Sequence, residues 1–184
     1  MDDRKKNEEL DPEKIIEQMR EEYWRSLSAQ EEEVEEERVQ LLVVEVAGER
    51  FGMEATLCRT ITKAGKITRV PRMPDYLLGV INLRGEIVSV VDLAMLLGLA
   101  GGEPGPRARL AVVAGKEVKT AFQVERVIGI EFFEVSRIQE PDSVESPLRT
   151  EYLKGHVAPL EREGWITYLD MEKIVHGPEI SLHR

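Results

Sequence analysis

From Val46 to Ile61 the chain reads VAGERFGMEATLCRTI, and from Val113 it reads VAGKEVKTAFQVERVI. The likeness continues in the same order: ITRVP at Ile67 is answered by VSRIQEP, YLLG at Tyr76 by YLKG at Tyr152, and VVDLAMLL at Val90 by TYLDMEKIV. One plan written twice is a stronger constraint than any composition, because both copies must adopt the same local structure. The units are short β-branched and apolar runs ended by turn signals: VQLLVVEVAGERFGMEA, ITRVPRMP, GVINLRGEIVSVVDL, RARLAVVAGKEVKTAFQVERVIGI and GWITYLDMEKIV. They read as strands. AGER and AGKE put a glycine between extended runs and read as hairpin turns. Helix is confined to VDLAMLLGL and LDMEKIV. Strands this short protect their edges by closing, so the expected fold is all-β: two small barrels sharing a core.

The repeat also separates what the fold needs from what only one copy carries. Gly79 and Gly155 both follow Tyr-Leu-x, where glycine relieves a tight start to a strand. Asp92 and Asp170 both precede a short helical pattern, where aspartate caps the first turn. The run Asn82-Leu83-Arg84-Gly85 has no echo, since the matching stretch reads HVAPLEREG. Asn and Gly are turn formers, so Arg84 is either an incidental charge on a hairpin tip or a recognition group. A guanidinium on a rigid turn can make forked hydrogen bonds to a partner's carboxylate or carbonyls.

Charge sets residues 1–38 apart as an expected helical extension, with 15 acidic and 7 basic side chains against 20 and 18 in residues 39–184. Asp11-Pro12 reads as a helix start. Ile16, Met19, Tyr23 and Leu27 then recur at spacings of three and four, an apolar stripe that is covered by the chain's own body, by a partner or a second copy, or else belongs to a mostly disordered tail. The net charge of -10 disfavours nucleic acid, whose binding depends on clustered Lys and Arg. The single cysteine, Cys58, cannot form an intramolecular disulfide, and no uninterrupted apolar run approaches a membrane span. A soluble cytoplasmic protein, without direct membrane insertion, is expected.

At this point MPDYLLGVINLRGEIVSVVDLAMLLGL resembles the signature stretch of the CheW family, the adaptors of bacterial chemotaxis, and the similarity runs from about Gln40 to about Val175. The resemblance implies two five-stranded barrels of the Src-homology-3 kind and a non-enzymatic scaffold. It implies two partners, the regulatory domain of a CheA-type histidine kinase and the cytoplasmic tip of a methyl-accepting chemoreceptor. It places the family's binding arginine on Arg84, within Asn82, Leu83, Arg84 and Gly85. The family commonly carries Val-x-Glu on the strand after the first hairpin, where this chain has Cys58-Arg59-Thr60. Cys58 and Thr60 therefore join the expected partner-binding set, and the missing acid points to altered partner choice.

Catalysis is not expected. One cysteine and three histidines offer no activated nucleophile and no metal-ligand spacing, and the glycine turns lack a phosphate-loop frame. No cofactor or metal is called for. The alternative is a small barrel binding nucleic acid or a small ligand, but aromatics are only 5% of the chain, too few for a stacking platform.

Overall fold

The computed structural model describes residues 37–114, 119–141, 148–159, 164–177 and 180. Among these residues ten strands are present: β1 (Arg38–Val46), β2 (Glu49–Glu54), β3 (Cys58–Thr62), β4 (Leu77–Leu83), β5 (Glu86–Asp92), β6 (Arg109–Ala114), β7 (Lys119–Val124), β8 (Arg126–Glu134), β9 (Leu153–Val157) and β10 (Ile166–Leu169). Two short helices follow β5 and β10, α1 (Leu93–Leu97) and α2 (Met171–His176). The N-terminal segment and its stripe, Ile16, Met19, Tyr23 and Leu27, lie outside the described residues, as does the AGKE turn from Gly115 onward.

The strands form two five-stranded sheets, ordered β8-β1-β2-β10-β9 and β3-β6-β7-β5-β4. Replacing each strand of the first order by its sequence counterpart, β1 by β6, β2 by β7 and so on, yields the second order. Each sheet therefore takes a hairpin from one copy of the repeat and three strands from the other. The repeat is not the barrel: the two copies exchange hairpins, with β1 antiparallel to β8 and β6 antiparallel to β3.

Closure is also duplicated. Gln139, just beyond the turn that ends β8, pairs with His156 of β9, so opposite ends of the sheet order meet. Thr68 pairs with Val80 of β4 in the same way, with N–H to O distances of 2.9 Å in both directions. That single bridge replaces the strand expected at ITRVPRMP; Pro71 and Pro74 lack the N–H that a longer ladder needs.

The alternation of side chains explains the shared core. On β1, Leu41 and Val43 point into one barrel with Phe133, Val157 and Ile166. On the opposite face, Leu42, Val44 and Val46 join a larger cluster with Val91, Leu93, Leu97, Ala111, Val113, Phe122 and Leu169, drawn from both sheets. β6 behaves alike, with Leu110 and Val112 in the second barrel's own core and Ala111 and Val113 in the shared one. Strands buried on both faces read as continuous apolar runs, which is why LLVV and LAVV show no alternation.

The repeated residues have the expected structural roles. Asp92 Oδ1 accepts the N–H of Met95 at 3.1 Å and Asp170 Oδ1 that of Lys173 at 3.0 Å, each capping its helix. A Cβ at Gly79 would meet the Thr68 carbonyl oxygen at 2.2 Å, and one at Gly155 the Gln139 oxygen at 2.4 Å. The glycines sit where the closing bridge crosses the strand.

Candidate functional site: the Arg84 turn and the neighbouring groove

Leu83 and Glu86 pair across the β4–β5 hairpin and leave Arg84 and Gly85 as a two-residue turn. Both have positive φ, 55° and 91°, the conformation whose twist matches the flanking strands. Gly85 enters it freely, whereas Arg84 does so against its Cβ. The turn is held by Asn82, whose Oδ1 accepts the Gly85 N–H at 2.8 Å. Asn82 is thus a turn-fixing residue, and Leu83, half-buried, packs against the core of this barrel.

The neighbouring charges leave the guanidinium available. Glu86, the acid nearest in sequence, is engaged by Lys119 of β7. Among the described residues Arg84 has no side-chain hydrogen bond or ion pair. Beside it Ile87 is 70% exposed, an apolar neighbour on an otherwise polar turn. A planar cation flanked by a bare aliphatic side chain, on a turn fixed by its own hydrogen bond, is an arrangement suited to contact with another protein.

Cys58 and Thr60 lie on β3, at the opposite end of the sheet order from the β4–β5 hairpin. They line a groove of about 210 Å³ with Leu42, Ala55, Ile61 and Ile130, between strands of the two sheets. Ile61 is 41% exposed, Ile130 54% and Phe132 66%. These three were not singled out by sequence reasoning; Ile130 and Phe132 stand two apart on β8, and that outward alternation was the available signal. Cys58 is half-buried, its Sγ donates to the Thr60 carbonyl at 3.7 Å, and burial raises its pKa. Its thiol is held in the neutral form, a packing group with little nucleophilic character.

A larger open recess of about 510 Å³ lies between Leu57, Arg59, Met171, Val175 and His176. His176 Nδ1 is 2.8 Å from the Glu172 carbonyl in its own helix. Among the described residues no group of three or more His, Cys, Asp or Glu side chains could hold a metal ion, and no helix is long and apolar enough to cross a membrane.

Residues 40–179 match the family model of the CheW-like domain. The chain is 30% identical over 137 residues to the chemotaxis protein CheW of Thermotoga maritima, covering 74% of this chain and 87% of that one. It is 28% identical over 126 residues to the protein FrzA of Myxococcus xanthus, covering 68% and 78%. Among solved structures, the scaffolding protein TtCheW of Thermoanaerobacter tengcongensis superposes with a TM-score of 0.70 at 21% identity, over 80% of this chain and 94% of that one.

Proposed function

Because the chain belongs to the CheW-like domain family, whose model matches residues 40–179, we propose that it is a non-enzymatic coupling adaptor of a chemotaxis-type signalling system. Its partners are the regulatory domain of a CheA-type histidine kinase and the cytoplasmic tip of a methyl-accepting chemoreceptor, and it acts in the cytoplasm, reaching the membrane only through the receptor. The observation that carries the reading is the Arg84 turn: it occurs in one copy of the repeat, is fixed by Asn82, and presents a guanidinium without a partner of its own among the described residues.

Arg84 is the charged contact of this surface, and Ile87 adds apolar area beside it. Cys58 and Thr60 contribute from the groove. Where the family commonly carries glutamate, Thr60 offers only a hydroxyl, so a partner's cation gains nothing there and partner choice shifts. A barrel binding nucleic acid finds no support in a chain of net charge -10 that belongs to an adaptor family.

Titration calorimetry of the full chain against the kinase's regulatory domain and against a receptor-tip fragment tests the assignment. Saturable binding to both is expected. An absence of binding to both by native, folded protein overturns it.

A further inference from the structure

Glu86 follows Arg84 by two residues, which holds their Cα atoms within about 7 Å of each other. A carboxylate that close is a ready partner for a guanidinium, and an internal ion pair between the two would have to break before Arg84 could meet another protein. The strands direct the carboxylate elsewhere. Side chains two apart on a strand share a face, so Glu86 lies on the row of Val88 and Lys119 on the row of Ala121, and Val88 and Ala121 both belong to the core of this barrel. β5 and β7 run parallel with Ser89 opposite Thr120, which brings Glu86 and Lys119 to the same end of adjacent rows. There they form an ion pair. Among the described residues neither has another ion-pair partner.

This pair does little for the fold. A ladder of four residue pairs already joins β5 to β7, and the two side chains are 46% and 59% exposed, where water screens most of their attraction. Its larger consequence is for the charge it occupies. Glu86 comes from the first copy of the repeat and Lys119 from the second. Without the second copy's cation, the hairpin that carries Arg84 would turn its own acid onto its own arginine.

We propose that Lys119 is a positioning residue for Arg84: by holding the Glu86 carboxylate, it keeps the guanidinium open to the partner. This deepens the adaptor reading and rests on it. Lys119 acts through Glu86 and is not itself a contact.

The experiment is a double-mutant cycle on the full chain, by titration calorimetry against whichever of the kinase regulatory domain and the receptor-tip fragment is weakened by Arg84→Ala. K119Q should bind about threefold more weakly, the effect expected of one exposed ion pair. E86Q and K119R should bind like the wild type, and K119Q/E86Q should return to it. Undiminished binding by K119Q overturns the proposal, and so does an equal deficit in K119Q and K119Q/E86Q, which would make Lys119 a contact or a structural group. A second readout needs no partner: the Arg84 Nε–H signal of ¹⁵N-labelled protein, assigned by its loss in R84K. In K119Q that proton should move downfield and exchange more slowly with water, as when a carboxylate accepts it, and it should revert in K119Q/E86Q. An Arg84 signal unmoved in K119Q overturns the proposal. Should the wild type bind neither domain, the adaptor reading alone falls, and the Arg84 signal still decides whether Lys119 restrains Glu86.

Discussion

The carbonyl oxygen of Thr68 lies where a β-carbon on residue 79 would have to go, 2.2 Å from it, and Gly79 holds φ at 139°. The obstacle is backbone at the isolated bridge that closes the barrel, which cannot rotate aside as a side chain could. Gly79→Ala should therefore cost about 3 kcal/mol, combining backbone strain with displacement of the Thr68–Val80 bridge. Gly129→Ala, where nothing lies within 4 Å, should change stability by less than about 1 kcal/mol. Urea unfolding of the two variants side by side checks the contrast.

The Arg84 turn separates binding from stability. Asparagine tolerates the left-handed conformation that arginine occupies at φ 55°, so Arg84→Asn should stabilise the protein by about 0.5–1 kcal/mol. The same change should weaken kinase or receptor binding about tenfold or more. Loss of stability in parallel with loss of binding would mark the guanidinium as a structural group. Thermal melts and titration calorimetry on one preparation distinguish the two.

The helix caps should be worth similar amounts in both copies. Asp92→Ala and Asp170→Ala each remove an acceptor for a first-turn N–H, at a cost of about 1 kcal/mol each. Because the two caps lie in separate helices, the double variant should lose about the sum. Guanidinium chloride midpoints at constant slope test this.

Acid should weaken the first sheet through Glu54. Burial pushes its carboxyl up, but hydrogen bonds from Lys154 and from Tyr168 (2.6 Å), with the Lys154 charge, outweigh this and leave it below the ordinary 4.5. A carboxyl lowered in the folded state stabilises above its unfolded value and ceases to do so as pH falls through the folded one. Stability should therefore decline below about pH 4.5, and less steeply in Glu54→Gln. Tyr168 works in the opposite sense: burial, then the hydrogen bond to Glu54, raise its hydroxyl, so its contribution is full below the ordinary 10.0 and is lost as pH rises through the elevated value. Urea titrations across both pH ranges check the two limbs.

The repeat makes most of the fold legible in the sequence. Gly79 with Gly155 and Asp92 with Asp170 were readable because each pair meets the same local demand twice. The turn at Asn82–Gly85 was readable because its residue types suit a hairpin. What stayed hidden was long-range. Nothing local records that β1 pairs with β8 and β6 with β3, since both LLVV and LAVV are apolar on every residue and bury both faces. ITRVPRMP misled because its β-branched residues outweighed its prolines. The groove at Ile61 and Ile130 escaped notice because exposure depends on which neighbour fails to cover a strand, and here the uncovered residues come from opposite copies of the repeat.

The exchange of hairpins has a mechanical consequence. Two barrels joined by one linker could swing about it, and a displacement at one would be lost before reaching the other. Here β1 and β2 leave their own copy to complete the other sheet, and β6 and β7 make the reciprocal crossing. Load applied to either barrel passes along hydrogen-bonded ladders and through a continuous apolar core. Swinging the barrels apart would require tearing strands out of sheets, so the pair behaves as a strut and not as a joint.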